Sequence, residues 1–336
     1  MQNKTAVLLV NLGTPDSYKP KDVYKYLIEF LTDGRVIDKP WVYRQLLVRG
    51  LIVPFRYKQS AKSYKEIWLE NGSPLMVHTK NAQKLLQDSL GDQYIVELAM
   101  RYQNPSILRA MESIKVNQVK HLIVIPLFPQ YASATTGSIH SQVLRIISTF
   151  EVIPKLTLIN NFATNPLFIE TISDIASSYQ LNSYDHFLFS FHGLPKSHLV
   201  KANESCFQTK NCCQATCGKN HNCYSAQCHA TAFAIANKLK LESSKYTICF
   251  QSKLGKDPWA EPSTVDCINK QRLKGAKKLL VFCPSFVSDC LETIHEIGIE
   301  YAEEFVAEGG EALDYVRSLN DHPKWIEALK NIVVSS

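Results

Sequence analysis

The stretch HFLFSFHGLP, from His186 to Pro195, decides the fold class of this 336-residue chain. Its apolar run carries no charge, so the predicted strand is buried on both faces, and a Gly and a Pro then turn the chain. Similar runs recur along the sequence, separated by stretches with apolar residues at three-and-four spacing, which is typical of helices. Buried strands that alternate with helices predict parallel sheets covered on both faces.

The alternation extends over most of the chain. Strands are predicted at Ala6–Val10, Tyr94–Ala99, His121–Leu127, Lys155–Ile159, His186–Phe191, Tyr246–Phe250 and Lys278–Cys283. Helices are predicted at Ala82–Leu90, Ile107–Val116, Gly137–Phe150, Pro166–Tyr179, Ala226–Leu241 and Asp289–Glu308. We therefore predict an α/β protein with two tandem doubly wound parallel sheets. The connection at 160–166 places the predicted boundary between an N-terminal domain, 1–165, and a C-terminal domain, 166–336.

Composition and charge favour a globular cytoplasmic protein. The chain is 45% apolar and 20% charged, which is sufficient for a large core. Its net charge of +6 is too modest and dispersed to predict a nucleic-acid partner, but it is compatible with an anionic small molecule or an acidic membrane surface. We see no signal-peptide pattern and no run of the ~20 apolar residues that a membrane-spanning helix needs.

His192 stands at the predicted exit of a buried strand. Ligands of open α/β sheets bind beyond the carboxyl ends of the strands, so an imidazole there is a candidate base or metal ligand. A packed, hydrogen-bonded structural histidine is the alternative that this motif alone leaves open.

A row of glutamates follows the strand exit at Lys278–Cys283. Glu292, Glu296 and Glu300 share one face of the predicted helix Asp289–Glu308, and apolar residues occupy the other face. Carboxylate oxygens suit a divalent cation, so the row is a candidate metal path. A solvated acidic face is the alternative.

Most of the chain's ten cysteines lie between Cys206 and Cys228. Cytosolic thiols stay reduced, so this spacing favours a metal site over disulfides. Zinc and an iron–sulphur cluster both remain open at this point, as do free thiols.

Eight motifs are spread along the chain, at Val7–Pro15, Gly72–Leu75, Met100–Tyr102, Pro126–Tyr131, Thr135–Ser138, Ser190–Pro195, Phe250–Gly255 with Trp259, and Phe286–Thr293. In these motifs and in their order, the chain resembles the ferrochelatase family over nearly its whole length. The resemblance implies two Rossmann-like halves with the active-site cleft between them. It also implies an enzyme that inserts Fe2+ into protoporphyrin IX to form protohaem, with release of two protons, as the last step of haem biosynthesis.

The resemblance assigns roles to the residues at the strand exits. His192 and Glu292 are the implied catalytic pair. His192 would remove pyrrole protons and contact iron, and Glu292 would contact iron and relay protons. Glu296 and Glu300 would extend the acidic iron path. One departure from the family concerns Cys290, which stands where members often have a histidine, so a proton relay through that position is in doubt.

The family positions that line or neighbour the macrocycle hold mostly apolar residues in this chain. The implied porphyrin-binding residues are Leu12, Arg101, Phe128, Tyr131, Ser138, Trp259 and Phe286. Enzymes that act on coproporphyrin tend to have Tyr where this chain has Leu12, so the resemblance favours protoporphyrin IX.

The cysteine-rich stretch is an insertion relative to ordinary family members and resembles a bacterial group that holds a [2Fe-2S] cluster in such a segment. The implied ligands are Cys206, Cys212, Cys213 and Cys223, with Cys217 as the reserve. Zinc, with His221 as a further ligand, is the lesser possibility.

Other functions remain open at this stage. The chain is alternatively a coproporphyrin III or sirohydrochlorin chelatase, or a non-catalytic iron–sulphur or haem-binding protein on the same scaffold. Peripheral membrane contact is compatible with the charge, and the sequence predicts no oligomeric state.

Overall fold

A computed structural model describes residues 4–204, 206, 212–214, 220–253, 255 and 257–336. The chain forms two compact units. Unit 1 contains Met1–Phe128, Ala132–Asn161 and Ile326–Ser336, and unit 2 contains Pro129–Tyr131 and Phe162–Trp325.

Unit 1 is built on a parallel four-stranded sheet with the strand order β2-β1-β3-β4. The strands are β1 (Thr5–Gly13), β2 (Tyr94–Tyr102), β3 (His121–Pro126) and β4 (Lys155–Leu158). Residues 6–10 of the central strand β1 are fully buried, as the uncharged run predicted. Side chains of β1, β3, Ile107–Val116 and Ser138–Ile147 form the core on one face of this sheet.

The helices of unit 1 cover both faces of the sheet. They are α1 (Pro20–Leu31), α2 (Trp41–Leu46), a π-helix (Leu47–Ile52), α3 (Val53–Ile67), α4 (Pro74–Leu90), α5 (Ile107–Val116), a π-helix (Ser133–Gly137) and α6 (Ser138–Ile147). The helix predicted from Ala82 begins earlier, because the Ser73 side chain accepts a hydrogen bond from the Met76 N–H and caps α4.

Side-chain amides cover the outer edge of β2. Gln87 Oε1 accepts from the Val96 N–H at 2.8 Å, and Gln83 Nε2 donates to the Val96 carbonyl at 2.8 Å. Gln87 Nε2 also donates to the Tyr94 carbonyl at 3.2 Å. The edge strand therefore has hydrogen-bond partners on its open side at these positions.

Unit 2 repeats the sheet order of unit 1, as β6-β5-β7-β8, again with all pairs parallel. Its strands are β5 (His186–His192), β6 (Tyr246–Gln251), β7 (Lys278–Phe282) and β8 (Ala312–Val316). The sequence did not predict β8, because its side chains are only partly buried and an exposed Asp314 interrupts the apolar run.

The helices of unit 2 include the one that carries the glutamates. They are α7 (Pro166–Ser177), a 3-10 turn (Leu181–Ser183), α8 (Lys196–Ala202), α9 (Tyr224–Lys238), a 3-10 turn (Ser243–Lys245), α10 (Thr264–Leu273), a π-helix (Leu291–Tyr301) and α11 (Ala302–Ala307). Helix α12 (Pro323–Val334) follows β8, and its residues from Ile326 onward belong to unit 1. Among the described residues, no helix combines the length and apolar character that crossing a bilayer requires.

The single α-helix predicted at Asp289–Glu308 was wrong in its type and its start. We call Leu291–Tyr301 the glutamate π-helix; it begins one residue after its N-cap Cys290 and passes into α11 at Ala302. A π-helix closes its hydrogen bonds over five residues, so each turn is wider than in an α-helix. Apolar periodicity in the sequence does not distinguish the two.

Candidate active site

His192 is the last residue of β5, and its half-buried imidazole has a defined tautomer. Its Nδ1 lies 2.7 Å from the Gly193 carbonyl oxygen. Because a carbonyl only accepts, Nδ1 carries a proton, and in the neutral imidazole Nε2 then has a lone pair for a proton or a metal. The ring centroid lies 6.5 Å from that of Trp259 and 6.3 Å from that of Phe286.

Two side chains hold the backbone of His192. Its N–H donates to Ser285 Oγ at 3.4 Å, and its carbonyl accepts from the Tyr224 hydroxyl at 2.8 Å. The Tyr224 hydroxyl also lies 3.2 Å from Ser285 Oγ, and burial raises the pKa of Tyr224 well above its usual value. The phenol therefore stays protonated and keeps donating to the His192 carbonyl.

The turn after His192 needs a glycine. A Cβ at Gly193 would lie 2.7 Å from the Gln251 carbonyl oxygen and 3.0 Å from Trp259 Cε3. Pro195 forms a β-bridge with Trp259, and the Ala260 N–H donates to the Leu194 carbonyl at 2.9 Å. These contacts place the indole of Trp259 beside the imidazole of His192.

Glu292 lies in the first turn of the glutamate π-helix and is half-buried. Its backbone carbonyl accepts from Gln251 Nε2 at 3.2 Å. Burial, followed by the nearby Glu292 carboxylate, raises the pKa of Cys290 well above its usual value, and Cys290 is the N-cap of this helix. A thiol that keeps its proton does not relay protons as a histidine would.

Glu296 and Glu300 differ in their surroundings. Glu296 accepts from the Ser252 N–H at 3.1 Å, the Ser252 hydroxyl at 2.7 Å and the Tyr301 hydroxyl at 2.7 Å. Glu300 is exposed, with Oε2 4.0 Å from His295 Nδ1. The carboxylate of Glu296 is therefore fixed in place, and that of Glu300 faces solvent. Their role as iron ligands stays a prediction.

In unit 1, Arg101 and Ser138 meet at Asp33, which the sequence analysis did not select. Arg101 Nη2 donates to Asp33 Oδ2 at 2.6 Å, and Arg101 Nε donates to Ser138 Oγ at 2.7 Å. The hydroxyls of Ser138 and Tyr102 also donate to Asp33 Oδ2, at 2.6 and 2.9 Å.

Burial acts to raise the pKa of Asp33, but the Ser138 hydroxyl, the Arg35 N–H and the Arg101 charge together lower it. The charge of Arg101 is thus partly neutralised inside its own unit. Nothing around Asp33 in the sequence signals this pairing, because its partners are distant along the chain.

The other predicted porphyrin-binding residues are half-buried. Leu12 and Phe128 belong to unit 1, and Tyr131, Trp259 and Phe286 belong to unit 2. The Leu12 N–H donates to Asn11 Oδ1 at 2.8 Å, and the Tyr131 N–H donates to Gln227 Oε1 at 2.7 Å. Their contact with a porphyrin stays a prediction.

Unit 1 also has an open cavity of about 710 Å³ beside the carboxyl ends of β1 and β2. The N-terminal ends of α4 and α5 line it, together with Lys80 and Arg109. The buried Thr14 Oγ1 in its wall has no hydrogen-bond partner among the residues that the structure describes. Asp16 and Glu97 line the same cavity, so its two cationic side chains face two carboxylates.

The four predicted cluster cysteines lie within the described residues, whereas the reserve Cys217 lies outside them. Cys212 Sγ is 3.7 Å from Cys213 Sγ. The thiols of Cys213 and Cys206 both hydrogen-bond to Cys223, and the Cys213 bond is the main cause that lowers the pKa of Cys223. In the described part of the chain, however, no three His, Cys, Asp or Glu side chains form a ready metal site.

Comparison with known families identifies the family to which this chain belongs. The family model described as Ferrochelatase matches residues 4–336. The chain belongs to the ferrochelatase family. The "Ferrochelatase" of Legionella pneumophila strain Paris is 44% identical over 332 residues, covering 98% of both chains. The "Ferrochelatase" of Coxiella burnetii strain Dugway 5J108-111 is 43% identical over 338 residues, covering 99% of this chain and 94% of the relative.

Two solved structures share the fold. "SirB from Bacillus subtilis with Fe3+" has a TM-score of 0.54 at 12% identity and covers 99% of this chain and 95% of that chain. The sirohydrochlorin chelatase SirB of Bacillus subtilis subspecies spizizenii, in complex with cobalt, has a TM-score of 0.52 at 12% identity, with coverage of 99% and 94%. At this identity the likeness shows the α/β architecture alone, which confirms the predicted fold class.

Membership of the ferrochelatase family makes the chain a metal chelatase of haem synthesis and confirms the predicted enzyme class. Its substrate metal is iron. The sequence analysis missed the residues that support the candidate pair, namely Tyr224, Gln251 and Ser285. Gln251 was part of a quoted motif, but only the contact with Glu292 shows what its side chain does.

Proposed function

We propose that this chain inserts Fe2+ into protoporphyrin IX to form protohaem and releases two protons. The observation that carries the proposal is the state of His192, whose Nδ1–H is held by the Gly193 carbonyl so that Nε2 is available. In a chain of the ferrochelatase family, that nitrogen is the base that pyrrole deprotonation needs.

The two protons leave in separate steps because one imidazole accepts one proton at a time. His192 Nε2 takes the first pyrrole proton, and the Gly193 carbonyl stabilises the imidazolium by accepting from its Nδ1–H. The Glu292 carboxylate receives that proton from His192, which frees Nε2 to take the second pyrrole proton, and Glu292 also contacts the incoming iron. Glu296 and Glu300 continue the carboxylate row along the glutamate π-helix toward solvent.

The macrocycle would contact Leu12, Phe128, Tyr131, Trp259 and Phe286, because these half-buried residues offer apolar surface. Arg101 and Ser138 would shape the wall rather than bind a propionate, since both are bonded to Asp33.

An anaerobic assay tests this function. Purified protein is mixed with Fe2+ or Zn2+ and protoporphyrin IX, coproporphyrin III or sirohydrochlorin, and the Soret band is followed. We expect insertion into protoporphyrin IX to be fastest. Faster turnover of either other tetrapyrrole would reassign the substrate, and an inactive wild-type protein would refute the chelatase function and favour a non-catalytic binding protein.

We further propose that Cys206, Cys212, Cys213 and Cys223 hold a [2Fe-2S] cluster, with zinc as the alternative. Three pairwise contacts support the proposal, namely those of Cys212 with Cys213 and of Cys223 with Cys213 and Cys206. A [2Fe-2S] cluster supplies one-electron chemistry when it is bound. The chain itself would provide the thiolates. The Cys213–Cys223 hydrogen bond lowers the pKa of Cys223 and raises that of Cys213, so it favours one thiolate in this pair.

Cysteine replacement tests the ligand set. We expect Cys213→Ser and Cys223→Ser to lose visible absorbance and bound iron. The buried core residue Cys267 gives the control, and Cys267→Ser keeps both. Bound zinc without colour would select the alternative metal, and wild-type protein without either metal would refute the site.

We also propose peripheral contact with an anionic membrane through an exposed apolar surface of unit 1. This 41–55 surface consists of Trp41, Val42, Tyr43, Leu46, Leu51 and Phe55, each more than half exposed. The sequence from Lys39 to Lys65 contains several Lys and Arg residues and no Asp or Glu. Apolar side chains among basic ones bind the interface of an anionic bilayer.

Vesicle sedimentation tests this contact. Wild-type protein should sediment with phosphatidylglycerol vesicles more than with phosphatidylcholine vesicles, and Leu46→Asp/Phe55→Asp should abolish the difference. Val116→Asp is the matched control, because Val116 is 81% exposed on α5, outside this surface. Equal sedimentation of the control and the double variant would refute a specific surface.

A further inference from the structure

We propose that Gln251 is a positioning residue that sets His192 and Glu292 relative to each other. The inference rests on the proposed function, since it assigns a task to a residue behind the candidate pair. Gln251 acts on the backbone of the chain and does not contact the substrate.

Gln251 connects the two candidate catalytic segments through three hydrogen bonds. It ends β6 beside His192, and its backbone carbonyl accepts from the Gly193 N–H at 2.8 Å. Its side-chain Oε1 accepts from Ser190 Oγ at 2.8 Å. Its Nε2 donates to the Glu292 carbonyl at 3.2 Å. One residue thus binds the turn after His192 and the first turn of the glutamate π-helix.

The chemistry of the partners fixes the orientation of the amide. The Glu292 carbonyl only accepts, so it must face the NH2 group of Gln251, and the Gln251 oxygen then faces the Ser190 hydroxyl. Ser190 Oγ is held on its other side by Thr264 Oγ1 at 2.7 Å. Gln251 is 2% exposed, so water does not replace a lost partner easily.

A second connection reaches the same helix from the next residue. The Ser252 N–H and hydroxyl both bind the Glu296 carboxylate, one π-helical turn after Glu292. The end of β6 therefore contacts the glutamate π-helix at its backbone through Gln251 and at a side chain through Ser252. Among the described contacts of these two residues, those of Gln251 also reach the turn after His192.

The tests are Gln251→Glu and Gln251→Met. An ionised glutamate keeps an oxygen for Ser190 but cannot donate to the Glu292 carbonyl, whereas a protonated glutamate can do both. Methionine has a similar length and no donor at any pH. We expect kcat to fall about 10- to 100-fold in both variants at neutral pH, with the Kd for protoporphyrin within about twofold of wild type.

The pH profile separates positioning from a general loss of structure. The ratio of Gln251→Glu to wild-type kcat should rise as the pH falls and the new carboxyl gains its proton, while the Gln251→Met ratio stays constant. Gln271→Glu on α10 is the matched control, because Gln271 is also buried, and it should keep wild-type kcat.

Several outcomes would overturn the proposal. Wild-type kcat in both Gln251 variants refutes it, as does a pH-independent Gln251→Glu ratio or a parallel loss of porphyrin binding. If neither Gln251 variant folds, Ser190→Ala decides, because it releases the amide oxygen; a lowered kcat with unchanged porphyrin Kd supports the proposal, and an unchanged kcat refutes it. A wild-type protein inactive on every tetrapyrrole refutes the proposed function instead.

Discussion

Units 1 and 2 share one sheet order and differ at the ends of their central strands. In unit 1, β1 ends with Leu12 and Gly13, and in unit 2, β5 ends with His192, followed by Gly193. Each glycine lies against the carbonyl oxygen at the end of the neighbouring strand. The same backbone arrangement therefore presents an apolar side chain in one unit and an imidazole in the other.

A second difference between the units lies after the third strand in each sheet order, which is β3 in unit 1 and β7 in unit 2. After β3 a short π-helix, Ser133–Gly137, contains only small and hydroxyl side chains, whereas after β7 the glutamate π-helix carries Glu292, Glu296 and Glu300. The shared fold places residues at corresponding sheet edges, but the residue types there confine the predicted proton and metal chemistry to unit 2.

The largest difference in kcat between the two units should appear when Leu12 and His192, at the ends of their central strands, are each replaced by alanine. His192→Ala removes the proposed base and should lower kcat by about 10²- to 10⁴-fold. Leu12→Ala removes only apolar contact, so it should raise the porphyrin Kd severalfold with little change in kcat. Stopped-flow insertion with fluorescence titration measures both constants. Equal kcat losses in the two variants would contradict the division of roles between the units.

The two strand-end glycines should differ in their effect on stability. Gly13→Ala places a Cβ 2.1 Å from the Tyr102 carbonyl oxygen at a φ of +120°, so it should cost about 3 kcal/mol or more. Gly193→Ala meets its nearest atom at 2.7 Å without a positive φ and should cost about 1–3 kcal/mol.

Urea denaturation measures these free energies of unfolding. Gly50→Ala is the control, because a Cβ there meets nothing within 4 Å. We expect it to be neutral or stabilising. A Gly13→Ala protein as stable as wild type would show that the strand end in unit 1 does not need a glycine.

Each unit also has a histidine at the start of a strand, and these should respond differently to acid. His121 Nε2 lies 2.8 Å from Thr157 Oγ1 in unit 1, and His186 Nε2 lies 2.8 Å from Thr247 Oγ1 in unit 2. Burial is the main cause that lowers both pKa values, that of His186 to about 4.

Because the unfolded chain protonates these imidazoles near pH ~6.5, it binds more protons than the native state below that pH. Stability should therefore fall between pH ~6.5 and about 4, on the order of 2 kcal/mol for His186. His186→Gln should flatten the pH dependence of the free energy of unfolding more than His121→Gln. The opposite ranking would contradict the deeper burial of His186.

The smallest effect should come from Tyr224→Phe, which removes one hydrogen bond to the His192 carbonyl. We expect kcat to fall about fivefold with unchanged porphyrin Kd, because a neutral hydrogen bond contributes about 1 kcal/mol. Histidine ¹⁵N chemical shifts should show a less uniform His192 tautomer. Tyr184→Phe is the control, because the Tyr184 hydroxyl donates to Asp314 Oδ2 at 2.8 Å. Unchanged His192 shifts in Tyr224→Phe would contradict the positioning role.

The parallel strands were predicted well from the sequence, because short uncharged apolar runs in a globular chain are typical of buried strands. The helix at Ile107–Val116 was predicted with its observed bounds. In contrast, β8 is only partly apolar, and the glutamate π-helix differs from an α-helix in hydrogen bonds that periodicity does not encode.

The sequence motifs were sufficient to predict His192 and Glu292 as candidate site residues. They were not sufficient to predict the side chains that hold these residues in place. His192 and Glu292 follow predicted strand ends, whereas Asp33, Tyr224 and Gln251 act through partners far along the chain. Such contacts depend on the tertiary structure, and polar side chains in separate elements leave no periodic pattern in a single sequence.

The amides of Gln83 and Gln87 on the outer edge of β2 have a consequence for self-association. They occupy both backbone groups of Val96, so an incoming strand would have to displace them before it could extend the sheet. A second copy of the chain is thereby discouraged from adding its own strand at this edge.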